Sequence, residues 1–141
     1  MDIRLQNPAM VMRIAFGLMA TLAGLDKFLN ILADWGSYVS PLAAQMLPFS
    51  TDVLMAIVGV VEFAVGVLIL TSWPVIGAYV ASAWLLLVAV NLVLGAHFDV
   101  AVRDVVLSIA AFTLARMMEA RETETARVDS RIDSAARHAT A

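Results

Sequence analysis

Hydrophobic and polar positions divide the chain into four long apolar stretches, separated by short breaks and followed by a charged end. The stretches cover about 9–33, 53–71, 75–96 and 98–118. The third carries no charge and the second carries one, Glu62. The first has Arg13 near its start and Asp26-Lys27 late; the fourth has Arg103-Asp104 near its start and Arg116 near its end. A hydrocarbon core of about 30 Å takes roughly 20 helical residues. The third stretch meets that length outright and the second nearly so. The first and fourth meet it if their charged ends snorkel to the interface. The pattern therefore predicts an all-α integral membrane four-helix bundle. A cleaved signal peptide is the alternative for the first stretch, given its basic start, the apolar run from Ile14 to Leu25 and Thr21-Leu22-Ala23 as a cleavage-like site. The return of Phe28, Leu29, Ile31 and Leu32, and the three stretches beyond, argue against it.

The breaks fit antiparallel neighbours. Thr71-Ser72-Trp73-Pro74 is a tight stop, and Gly95-Ala96-His97-Phe98-Asp99 is another. The connection from 34 to 51 is longer and contains Pro41 and Pro48. Trp35, Tyr38, Leu42, Met46, Leu47 and Phe49 make it too apolar to float free, and it is expected to lie in the membrane interface. Arg4 and Arg13 flank the first stretch, Arg116 and Arg121 flank the fourth, and 34–51 has neither Lys nor Arg. Both termini are therefore expected on the cytoplasmic side of a bacterial inner membrane. Residues 119–141 mix both charge signs with Ala, Thr and Ser, and read as a solvated, frayed helix or a disordered tail.

Composition sharpens the class. Of 141 residues, 62% are hydrophobic and 15% charged, with a formal net charge of -3 and a mean hydropathy of +0.88. A soluble domain would hold about 25% charged residues. A disordered chain, a nucleic-acid-binding module and an ordinary cytosolic enzyme are thereby excluded. With no cysteine there is no disulfide, thiolate metal site or iron–sulfur ligation. The two histidines, His97 and His138, cannot form a bis-histidine haem in the bundle. No cluster has metal-ligand spacing, no glycine-rich phosphate loop is present, and no Ser/His/Asp set shares plausible faces.

Polar groups at membrane depth carry whatever chemistry remains, because a charge at the centre of a lipid-exposed helix costs about 2.5–3.5 kcal/mol. Glu62 lies ten residues past Asp52, about 15 Å along a helix, with Gly59 and Gly66 on its face. It is either a helix-joining carboxyl or a proton-handling group. Arg13, Gly17, Ala20, Gly24 and Lys27 form a matching stripe on the first helix. Lys27 is a candidate counter-ion for Glu62 or Asp104, or a snorkelling interfacial lysine. Asp26, one residue round, satisfies the outer interface or bonds Asn30. Asn91 reads as interhelical glue or a ligand contact, and Trp84 as packing. Adjacent on their helix, Arg103 and Asp104 are expected to point apart, one toward Lys27 or Glu62 and the other toward the loop. Asp26, Lys27, Asn91, His97, Arg103 and Asp104 all fall in one half of the membrane, with Glu62 beneath and Arg13 alone at the other end. That one-sidedness argues against a channel or transporter.

Arg13-Ile-Ala-Phe-Gly17 followed by Ala23-Gly-Leu-Asp-Lys27-Phe resembles the first helix of the DoxX-like membrane proteins. The segment from Asn30 to Pro41, Glu62 in a Gly-flanked second helix, and Arg103-Asp104 opening the fourth also fit, so the resemblance covers about 10–117. It implies a four-helix membrane bundle. Some relatives are membrane subunits of thiosulfate:quinone oxidoreductase, and many have no assigned reaction. Lys27, Glu62, Arg103 and Asp104 match the family's recurrent polar sites. The leading expectation is an inner-membrane subunit linked to quinone chemistry and a partner redox protein. Lys27, Asn91, Arg103 and Asp104 would bind an anion or quinone, and Glu62 would transfer the proton. The alternative is a non-enzymatic assembly or stabilising partner of another complex, with the charges as interhelical staples and the tail as its docking segment.

Overall fold

A computed structural model describes residues 6–139, and Arg4 lies outside them. Regular structure among the described residues is helical throughout: α1 (Gln6–Leu29), a 3-10 turn (Trp35–Tyr38), α2 (Pro41–Met46), α3 (Thr51–Leu70), α4 (Pro74–Leu94) and α5 (Phe98–Ala139).

Local chemistry sets the helix ends. Asn30 takes a left-handed φ of 51°, and its N–H still reaches the Asp26 carbonyl at 2.6 Å. This stops α1 at Leu29, short of residue 33, because asparagine tolerates that conformation where larger apolar residues do not. Ser40 and Ser50 cap α2 and α3 by accepting from the N–H groups of Ala43 and Val53. Pro74 opens α4, where its missing N–H costs nothing. At the α4–α5 corner the left-handed position belongs to Ala96, at φ 60°, while Gly95 stays at φ -89°. Helix α5 continues without a break from the apolar 98–118 stretch through the charged end to Ala139.

Four long helices pack in antiparallel sequence, with α1 lying along α3 and α4 along α5 as the two intimate pairs. Glycines permit the first. A Cβ on Gly24 would stand 2.5 Å from the Phe63 nitrogen and 2.6 Å from the Gly59 carbonyl oxygen. Gly17 and Gly66 face each other in the same way about two turns further along. Close backbone approach is how helices associate where lipid removes the usual hydrophobic drive. Alanine and serine do the same for the second pair: Ala78, Ala81, Ser82, Ala101, Ser108, Ala111 and Ala115 are all buried. Large apolar side chains such as Val60, Ile76, Leu87, Val106 and Ile109 face outward instead.

Three helices are long and apolar enough to cross a membrane: α1 over Pro8–Leu29, α3 and α4. Helix α5 is long enough but is not among them, because its apolar stretch carries too many charges. Over 98–118 it carries Asp99, Arg103, Asp104 and Arg116, yet it contributes Leu114 and Met118 to the same core as Phe16, Val65 and Ile69.

Candidate functional site

The stripe on α1 meets α3 along its length. At one end Arg13 donates through Nε to the Ile69 carbonyl at 2.7 Å and through Nη2 to the carbonyls of Leu70 (3.0 Å) and Thr71. The last carbonyls of a helix have no intrahelical donor and carry its negative dipole end, so a guanidinium suits them. Arg13 stands apart from the other charged side chains of the stripe, and its partner is the C-terminus of α3.

At the other end of the stripe Lys27 Nζ lies 2.5 Å from Glu62 Oε2, with side-chain exposures of 5% and 16%. This settles the counter-ion of Lys27 as Glu62. Lys27 Cβ lies against Gly59, three residues nearer the Thr51 end of α3 than Glu62, so the lysine stem reaches about one turn along α3 to a Glu62 that lies beneath it. Two indoles enclose the pair. The Trp35 ring covers Lys27 Nζ at 3.9 Å from its centroid, and Trp84 Nε1 donates to Glu62 Oε1 at 3.4 Å. Trp84 is thus a polar partner as well as packing.

Asp26 ties the long connection to this pair. Its carboxylate accepts from the N–H groups of Ile31 (3.0 Å) and Leu32 (3.0 Å) and from Trp35 Nε1 (2.7 Å). It does not bond the Asn30 side chain; Asn30 meets the Asp26 backbone instead. Asp26 and Lys27 are both buried, and Trp35 touches both. Asn91 fixes the far side of the connection: its Nδ2 donates to the Tyr38 carbonyl at 2.8 Å, and its Oδ1 accepts from the Ser40 N–H at 3.0 Å. Asn91 is therefore glue between helix and loop rather than between helices. The Tyr38 ring packs at a tilt against His97, with centroids 5.2 Å apart, and His97 Nδ1 is buried without a hydrogen-bond partner.

Arg103 and Asp104 do not divide as expected. Arg103 folds back on its neighbour, placing Nε and Nη2 both 2.9 Å from Asp104 Oδ1. Its long stem spans the turn of about 100° between adjacent positions. Asp104 is 5% exposed and Arg103 60%. Among the described residues, Lys27–Glu62 and Arg103–Asp104 are thus two separate ion pairs. Sequence reasoning missed Trp35 as the cover of the pair and the Ser82–Ser108 bond that joins α4 to α5, 3.1 Å between hydroxyls. Trp35 follows Asp26 by nine residues, a spacing with no helical meaning, and only the turn at Asn30 brings it back over Lys27.

Chemically, the Lys27–Glu62 site offers an ion pair between the face of Trp35 and the indole N–H of Trp84, with an additional carboxylate, Asp26, already supplied with three donors. No metal-holding group of His, Asp or Glu occurs among the described residues. No protein-family model, no curated protein and no solved structure matches this chain.

Proposed function

We propose that the protein is a non-enzymatic component of a membrane assembly. It would be a DoxX-like, four-span protein of the bacterial inner membrane with both termini in the cytoplasm, whose 119–139 helix docks a protein partner. The carrying observation is that the charged groups proposed for chemistry are already engaged inside the chain. Lys27 holds Glu62, Asp104 holds Arg103, Asp26 holds the loop, and Arg13 holds the end of α3. Removing one member of the buried Lys27–Glu62 pair costs about 3–5 kcal/mol, which describes a staple between α1 and α3. Crossing by α5 is supported by its packing along α4 and by the outward apolar face of Val102, Val106, Ile109 and Phe112. Exposed Trp73 at one end of the bundle and Trp35 and Tyr38 at the other suit the two membrane interfaces, as do Leu42, Met46 and Phe49 on α2 and its flank. Deleting 119–141 is the test. The bundle should stay folded and the particle extracted from native membranes should shrink to the bare chain. A particle of unchanged size would overturn the docking role.

A quinone-linked role is the second reading, favoured by the two indoles that flank Lys27 and Glu62. A quinone carbonyl would take the lysine proton donor, Asn91, Arg103 and Asp104 would line the approach, and Glu62 would pass the proton. Electrons would come from a partner redox protein. Quinone extracted from the wild type and lost from a folded Lys27→Met/Glu62→Gln variant supports that reading. Equal background in both removes it.

A further inference from the structure

The part of α5 beyond the bundle is the least explained feature of the molecule. From Glu122 to His138 every residue is exposed, over a helix that continues about 30 Å past Met118. A helix that is solvated all round and unsupported by packing is normally marginal.

Its residues are nevertheless ordered around the axis. Thr125, Val128, Ile132 and Ala135 recur at steps of three and four, giving one narrow, mostly apolar stripe. Val128 and Ile132 are 46% and 61% exposed. At about 100° per residue, Glu122, Asp129 and Asp133 fall on one side of that stripe and Arg127 and Arg131 on the other. Two residues depart from the pattern: Glu124 lies on the basic side, and Arg121 heads the stripe four residues before Thr125. Within one helix, Arg127/Arg131 and Asp129/Asp133 stack like charges four residues apart, while Glu124/Arg127 and Asp133/Arg137 place opposite charges at three and four.

Two helices laid side by side in parallel change that balance. In a parallel pair each flank meets the opposite flank of its neighbour, so acidic meets basic; in an antiparallel pair acidic would meet acidic. Two copies of this chain inserted with the same topology present α5 in parallel, from the same face of the membrane. Charge pattern and topology thus select the same arrangement.

We propose that the chain self-associates through residues 119–139 of α5, packed in parallel against the same segment of a second copy along Thr125, Val128, Ile132 and Ala135. This rests on the reading of that helix as the docking element and names what it docks. The stripe is short, and confinement of both copies to one membrane raises their effective concentration enough for a weak seam to form.

The absence of cysteine provides the test. Single substitutions Val128→Cys, Ile132→Cys and, off the stripe, Ser130→Cys are made in the full chain and oxidised in native membranes. Each lies in the solvated helix, far from the packed core, and folding is checked by far-UV circular dichroism. Ile132→Cys and Val128→Cys should give a disulfide-linked species of twice the chain's mass, several-fold more abundant than from Ser130→Cys. Adding Arg127→Glu/Arg131→Glu makes both flanks acidic and should abolish it. Coexpression with a chain carrying the same cysteine and Asp129→Arg/Asp133→Arg, basic on both flanks, should restore a mixed disulfide-linked dimer. Equal cross-linking at all three positions would overturn the seam. Adducts only with a protein of different mass would overturn self-association while leaving a docking helix. No adduct from any position, together with an unchanged particle after deletion of 119–141, would overturn both readings.

Discussion

Neutralising Lys27 or Glu62 singly should destabilise the protein far more than neutralising both. The two side chains are 5% and 16% exposed and 2.5 Å apart, so either substitution leaves one uncompensated charge in a low-dielectric setting. Breaking a buried pair in this way costs about 3–5 kcal/mol. The double variant Lys27→Met/Glu62→Gln leaves no orphan charge. The amide that replaces the Glu62 carboxylate would still accept from Trp84 Nε1, whose bond at 3.4 Å is long, while the Lys27–Trp35 contact at 3.9 Å is lost, about 0.5–2 kcal/mol. The expectation is therefore about 3–5 kcal/mol for each single change and about 0.5–2 kcal/mol for the pair. Independent sites would give about 6–10 kcal/mol for the double. The assay is reversible unfolding in mixed micelles, followed by far-UV circular dichroism so that changes around Trp35 and Trp84 do not distort the signal. An additive double variant, or single variants that each cost below about 1 kcal/mol, would refute the claim that this pair is buried and coupled.

Further consequences concern the backbone. Gly24→Ala should destabilise by about 1–3 kcal/mol, since its Cβ would meet the Phe63 nitrogen and Gly59 oxygen at 2.5–2.6 Å; thermal melting against Gly36→Ala, whose nearest neighbour is the Thr51 methyl at 3.3 Å, checks it. Asp26→Ala strips the acceptor from Ile31, Leu32 and Trp35, each orphaned donor costing about 1–3 kcal/mol. Hydrogen exchange at 31–38 should accelerate while α3 and α4 remain protected. Ala96→Gly should stabilise by about 1 kcal/mol, because a left-handed φ of 60° penalises alanine and not glycine. A lower melting temperature would show that the corner is held some other way.

Periodicity and apolar length placed the helices because both are local properties. The Thr71–Pro74 stop appears as a break between Leu70 and Pro74, and the stripe Arg13, Gly17, Gly24, Lys27 faces α3. The site was legible only in part. Lys27–Glu62 could be offered as one of two pairings, because spacing on one helix fixes a face but not the level of the helix opposite. The level depends on α1 ending at Asn30, a backbone event with a weak signature. That same event turns Trp35 back over Lys27, so the cover of the pair was hidden for the same reason. Arg103–Asp104 failed differently. Adjacent residues point apart at Cβ, but a long arginine stem can recross that angle.

The ordering of contacts along α1 and α3 explains why the charges are where they are. Outward-facing leucine, valine and isoleucine cannot fix the register of two helices in lipid, since sliding one past the other exchanges apolar contacts for apolar contacts. Here the two ends of the interface are polar and the middle is glycine. Arg13 meets the terminal carbonyls of α3, Gly17 and Gly24 meet Gly66 and Gly59, and Lys27 meets Glu62. A slip of one turn, about 5.4 Å, would separate both polar ends together and drive side chains into the glycine contacts. The register is therefore specified at three independent places. Because Asp26 and Trp35 hang the long connection on the same end of α1, fixing that register also fixes where the connection lies. On this account the buried ion pair is a position marker, and its closeness to two indoles follows from the path of the chain.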